Sequence, residues 1–71
     1  MLTYDLDRRG KLARYDYLYR CIREDILAGR LTAGEKLPSK RSLASHLQTA
    51  VITVQNAYAH LEAEGYLYTR E

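Results

Sequence analysis

Residues 37–65 read LPSKRSLASHLQTAVITVQNAYAHLEAEG. The stretch holds two helical patterns joined by a short break. The first opens at Ser39, a residue type that caps helix N-termini, directly after Pro38. Its apolar positions are Leu43, Ala44 and Leu47, at helical spacing. The break is Gln48-Thr49-Ala50. The second pattern runs through Val51, Val54, Ala57, Tyr58 and Leu61 and stops at Gly65. Glycine there fits a helix C-terminus, where a left-handed residue closes the last turn. Two short helices across a tight turn are the sequence form of a helix-turn-helix, whose second helix can enter a DNA major groove. Gln48 stands where the turn glycine is usual. The pattern by itself also fits a plain helical hairpin in a small α domain.

The same residues carry a family resemblance. LPSKRSLASHL followed by TVQNAYAHLEAEGYLY resembles the N-terminal winged-helix domain of the GntR family of bacterial transcription regulators, and AGRLTAGEKLPS just before it fits too. The form AYAHLEAEGYLY is most like the MocR subgroup, whose members join this domain to a large aminotransferase-like domain that binds pyridoxal phosphate. The resemblance covers about Tyr15 to Arg70, most of the chain. It implies sequence-specific binding of double-stranded DNA by the N-terminal domain of a bacterial regulator, with a recognition helix over 50–64 in the major groove. It also implies a cytoplasmic protein that is a homodimer at full length and is not an enzyme. No cofactor is expected in this fragment, and pyridoxal phosphate would belong to a missing C-terminal domain.

Length and composition are consistent with that reading. The chain has 71 residues, enough for one small domain with a thin core. No apolar run is long enough to span a membrane, and MLTYDLDRRG lacks the apolar segment of a signal peptide. The formal charge of +2 permits nucleic-acid binding without arguing for it, because charge must be clustered to matter. Cys21 is alone, so no intrachain disulfide can form; a single partly buried thiol suits a cytosolic protein.

Residues 1–12 read as an N-terminal arm, and 13–71 as the domain. Leu2, Tyr4 and Leu6 alternate with polar residues, as in a short strand, although a loose arm fits equally. Arg8, Arg9 and Lys11 form a small basic cluster, read either as a phosphate contact or, preferably, as a solvated tail.

A first helix is expected over 13–28. Tyr15, Leu18, Tyr19, Ile22 and Ile26 form one apolar stripe, with Asp16–Arg20 and Arg20–Glu24 spaced as ion pairs on the wet side. Gly29 closes it. All the aromatic residues are tyrosines. Tyr15 and Tyr19 are expected in the core, leaving Tyr17 as the candidate for a contact surface. Leu31 and Leu37 are expected to tuck under the helices.

The expected fold is mainly α with a small β wing: a winged helix-turn-helix. Helices over 13–28, 39–47 and 50–64 pack through Leu18, Ile22, Ile26, Leu43, Leu47, Val54, Ala57, Tyr58 and Leu61. A short strand at 35–37 pairs with a wing strand at 66–70. A wing needs a turn and a returning strand, so the chain reads as a fragment whose wing is truncated mid-hairpin, with an open edge.

The candidate DNA-binding residues are Ser39, Lys40, Arg41, Thr49, Ala50, Val51, Thr53 and Gln55. Lys40 and Arg41 sit at the start of the second helix, where free N–H groups and the helix dipole favour an anion. The resemblance assigns a DNA-contacting arginine to Arg41. Relatives commonly carry Ser-Arg where this chain has Ala50-Val51, so their guanine-directed arginine has no counterpart here. The lost serine weakens the N-cap unless Thr49 supplies it. Val51 and Ile52 could touch thymine methyl groups, and Gln55 or Asn56 could pair with adenine. The same apolar edge would equally suit a protein interface. No catalytic or metal-ligating constellation is visible: His46 and His60 are far apart in sequence, and His46 reads as a surface residue.

Overall fold

The computed structural model describes residues 2–31 and 37–67. A short 3-10 helix, Leu6–Arg9, precedes three α-helices: α1 (Arg14–Leu27), α2 (Lys40–Leu47) and α3 (Val51–Ala63). The capping residues fall at the expected limits: Ala13 and Ala28 flank α1, Ser39 and Gln48 flank α2, and Ala50 and Glu64 flank α3. α1 and α2 each pack against α3, which makes α3 the central element.

The core forms where the apolar stripes meet. Leu18 and Ile22 of α1, Leu43 and Ala44 of α2, and Val54, Ala57 and Leu61 of α3 are fully or almost fully buried, with Tyr19 and Tyr58 beside them. Each such leucine or isoleucine contributes about 1.5–3 kcal/mol by leaving water. Ile26, Leu37 and Leu47 pack against this cluster from its margin, and Leu31 is buried in it.

The turn between α2 and α3 is set by hydrogen bonding. Gln48 takes the left-handed conformation, with φ 56° and ψ 48°. Its N–H donates to the Ser45 carbonyl and the Thr49 N–H to the Ala44 carbonyl, at 3.2 and 2.9 Å. That pair is the Schellman closure, normally built on glycine. α3 ends the same way: Gly65 at φ 84° donates to Glu62, and Tyr66 to Leu61.

Three readings of the first helix and its approach need correction. Tyr15 is not in the core but 41% exposed. It lies in the first turn of α1, where the stripe has run past the end of the packed cluster and meets an open groove. Tyr17, expected on a contact surface, is half-buried against the core, with Arg8 and Asp5 of the preceding segment among its charged neighbours. On the wet side Arg20 turns to Asp16 at 3.1 Å, and no Arg20–Glu24 ion pair forms.

The N-terminal residues form neither a strand nor a loose arm. Leu6 is buried in the same core as the helices, and Leu2 and Tyr4 pack against it. The alternation thus reports inward and outward faces of an extended segment that has no strand partner among the described residues. Tyr4 donates to Asp25 Oδ2 at 2.5 Å, and Thr3 Oγ1 is 2.8 Å from His46 Nε2, so polar bonds tie the segment to α1 and α2. Asp25 is the hub, because its other oxygen accepts from Arg30 Nε at 2.7 Å. Burial raises the Asp25 pKa, but the Tyr4 and Arg30 donors outweigh it and hold the carboxyl below its ordinary value.

Among the described residues there is no strand. The expected pairing of 35–37 with 66–70 lies largely outside them; Leu37, Tyr66 and Leu67, which are described, have no strand assignment.

Candidate nucleic-acid interface

The buried face of α3 decides which of its residues can meet a ligand. At 100° per residue, Val54, Ala57, Tyr58 and Leu61 occupy one side, so Ile52 and Asn56 point directly away. Val51 and Gln55 lie toward one flank and Thr53 toward the other. The flanks are identified by two contacts. The Tyr58 hydroxyl donates to the Pro38 carbonyl at 2.8 Å, placing the Val51–Gln55 flank beside the start of α2. The His60 ring stacks on Tyr19 at 3.8 Å between centroids, placing the Thr53–His60 flank beside α1.

The exposed edge of α3 is apolar at its tip and polar further on. Val51 is 42% and Ile52 56% exposed, Gln55 and Asn56 are exposed, and Thr53 is half-buried. Ala50 is the exposed N-cap, and its carbonyl accepts from the Thr53 N–H. Thr49 does not take over the capping role that the missing serine left open: no side chain caps α3. Thr49 is committed to the turn, where its N–H closes α2 and its side chain is half-buried. The first turn of α3 therefore keeps N–H groups uncapped by any side chain.

On the α2 side, Ser39 is an N-cap whose Oγ accepts from the Ser42 N–H at 3.1 Å. Lys40 and Arg41 follow it in the first turn, both exposed. Arg41 lines a shallow groove with Ser42, Ser45 and His46. His46 is a surface residue, as expected, and it also holds Thr3. Lys40 and Arg41 therefore stand at the start of α2, the end that meets α3 through the Tyr58–Pro38 bond, while Thr49 and Ala50 lie in the turn between the two helices.

A second groove lies on the α1 side. Arg9, Lys11 and Arg14 line it together with Tyr15, Ile52, Thr53 and Asn56. The preferred reading of the basic cluster as a solvated tail did not anticipate this, and Arg14 drew no attention in the sequence. Its signal was a cation three residues after Lys11, at the start of a helix.

Ion pairing separates the cations into two sets. Among the described residues, Arg9, Arg20 and Arg30 have carboxylate partners, and Arg23 lies over the Tyr19 ring. Arg8, Lys11, Arg14, Lys40 and Arg41 have no carboxylate partner there. No group of His, Cys, Asp and Glu among those residues is placed to hold a metal ion.

Two short helices around a left-handed turn, with the second presenting an exposed edge that shares a groove with Lys11 and Arg14, define a helix-turn-helix domain. The chain belongs to the GntR family of bacterial regulatory proteins, whose sequence model matches residues 14–71. It is similar to the HTH-type transcriptional regulator YhdI of Bacillus subtilis, at 39% identity over 69 residues, which cover 97% of this chain and 15% of that protein. The probable rhizopine catabolism regulatory protein MocR of Rhizobium meliloti is 42% identical over 65 residues, covering 92% of this chain and 13% of the relative. The HTH-type transcriptional repressor YtrA of Bacillus subtilis is 36% identical over 64 residues, covering 90% and 49%. The chain thus spans less than half the length of each of these relatives.

Proposed function

We infer that this chain is the DNA-binding domain of a transcription regulator and that the exposed edge of α3 enters the major groove. The observation that supports it most is the position of α3. Its buried face anchors it to both other helices, while Val51, Ile52, Gln55 and Asn56 stay exposed, and the neighbouring α2 opens with Lys40 and Arg41, which have no carboxylate partner among the described residues. In this reading Lys40 and Arg41 hold backbone phosphates, assisted by the N–H groups of the first turn of α2. Ser39 supports them by capping that turn. Thr49, Ala50, Val51, Thr53 and Gln55 line the approach to the bases.

The likeness to MocR supports a MocR-like regulator that acts in the cytoplasm as a homodimer, each copy reading one half-site. Pyridoxal phosphate would then belong to an aminotransferase-like domain outside these 71 residues. The grooves beside Arg41 and beside Arg14 are open surfaces without the walls such a cofactor needs. Among the described residues no helix is long and apolar enough to cross a membrane.

A second reading has its own observation: the exposed Val51–Ile52 tip is apolar and would suit a protein partner. Binding to mixed duplex DNA over a salt series separates the two. Phosphate-mediated binding weakens steeply with salt, and Arg41→Ala should weaken it for all sequences alike. Absence of duplex affinity at low salt would favour the protein-binding reading.

A further inference from the structure

We propose that Lys11 and Arg14 form a second phosphate-binding flank, so that the duplex is gripped on both sides of α3. The proposal rests on the DNA-binding reading above and deepens it.

The major groove is about 12 Å across and bounded by two phosphate backbones. A helix lying in it has one backbone on each side. Lys40 and Arg41 serve only the flank that faces α2, where Tyr58 meets Pro38. The opposite flank of α3, marked by Thr53 and Asn56, opens on the groove that holds Arg9, Lys11 and Arg14. The same arrangement that seats α3 against both neighbours therefore puts cations along both of its sides.

The three cations of this groove are not equivalent. Arg9 is occupied: its guanidinium donates to the Leu6 carbonyl at 2.9 Å and lies 3.8 Å from Asp7. It fixes the end of the 3-10 helix and so shapes the wall. Lys11 and Arg14 are exposed and have no carboxylate partner among the described residues. Charges left unpaired beside a DNA-reading edge are available to phosphate oxygens, whereas a paired cation must first give up its carboxylate. The segment that carries Lys11 is also held in place, since Leu6 is buried and Tyr4 is bonded to Asp25. The contact is thus presented by an ordered wall and not by a tail that must be immobilised on binding.

The contacts carry no base information, so they should act equally on every duplex. The test measures binding of the chain to a mixed-sequence duplex by fluorescence anisotropy across a salt series, with helicity checked by circular dichroism. The wild type is compared with the double variant Lys11→Ala/Arg14→Ala, with Lys11→Glu, and with Arg20→Glu. Arg20 is paired with Asp16 on the wet side of α1, and Arg20→Glu lowers the net charge by the same two units as each of the other variants. The double variant should keep its helicity and lose about two units of salt slope, one per phosphate contact. Lys11→Glu should weaken binding by more than Arg20→Glu does. An unchanged slope in the double variant, or a loss no larger than that of Arg20→Glu, overturns the second flank while leaving DNA binding intact. A wild type without salt-dependent duplex binding removes both readings together.

Discussion

The hydroxyl of Tyr58 donates to the carbonyl of Pro38 across 2.8 Å. This bond joins the middle of α3 to the residue just before the α2 N-cap, and so sets how the two helices are offset. Its removal in Tyr58→Phe leaves the carbonyl without that donor. We expect a stability loss of about 1–2 kcal/mol, read from denaturant unfolding. The phenol is also pushed up to about 12 by burial. The neutral form is therefore favoured in the folded state, and its contribution is complete below pH 10 and lost as pH rises toward 12. Tyr58→Phe should flatten the alkaline limb of the stability profile. A limb that is equally steep in the variant would mean that Tyr58 does not control it.

Gln48 holds the turn in a conformation that costs a side-chain-bearing residue about 1–2 kcal/mol. Glycine removes that strain but orders more backbone on folding, which costs roughly 0.5–1 kcal/mol. Gln48→Gly should therefore stabilise the chain by up to about 1 kcal/mol. The readout is the thermal midpoint, which should rise with DNA affinity unchanged. A lower midpoint would show that the Gln48 side chain contributes more than its backbone strain costs.

Much of this fold was legible because its boundaries carry local chemistry. Ser39 caps, Gly29 and Gly65 adopt positive φ, and the stripes of α1 and α3 have helical period. What was not legible depends on where partners end. Tyr15 shares a stripe with Leu18 and Ile22, yet periodicity cannot say that α1 extends beyond its packing partner at that turn. Tyr17 lies off the stripe, and only the folded N-terminal segment makes its position half-buried. The candidate site divides in the same way. Lys40 and Arg41 are legible as candidates because they adjoin a helix start, whereas Lys11 and Arg14 meet the exposed edge of α3 only through the packing of α1 on α3 and the path of the chain that leads into it.

The N-terminal segment should behave as part of the folding unit. Leu6→Ala removes a buried side chain from the core and should cost about 2 kcal/mol, at the low end for such a change because Leu6 lies at the margin. Tyr4→Phe acts through Asp25, whose carboxyl the Tyr4 and Arg30 donors hold below its ordinary value despite the opposing effect of burial. That contribution is present above the unfolded carboxylate pKa and is lost as pH falls through the depressed folded value. Without the Tyr4 donor, acid unfolding should begin at higher pH. An unchanged melting curve for Leu6→Ala together with an unchanged acid limb for Tyr4→Phe would show a segment uncoupled from the helices.

Val51 stands where the family resemblance implies an arginine aimed at DNA, and nothing on the exposed edge from Ala50 to Asn56 can make the bidentate contact that an arginine makes with guanine. Val51 and Ile52 offer methyl groups, 42% and 56% exposed, that suit thymine. Gln55 is exposed on the same flank as Val51 and can pair with the adenine edge. The preferred half-site should therefore be rich in A·T pairs beneath Val51 and Gln55. A single small domain should also discriminate weakly, because its contacts are few; a dimer would raise the effective concentration of the second copy. Selection from random duplexes should be run on the full-length protein and on Val51→Arg. Only the variant should enrich guanine beneath residue 51, since the position is already exposed and needs only a guanidinium to read it. Guanine enrichment by the wild type at that base pair would mean that another residue reads it, and that this edge of α3 meets DNA at a different angle from the one its packing suggests.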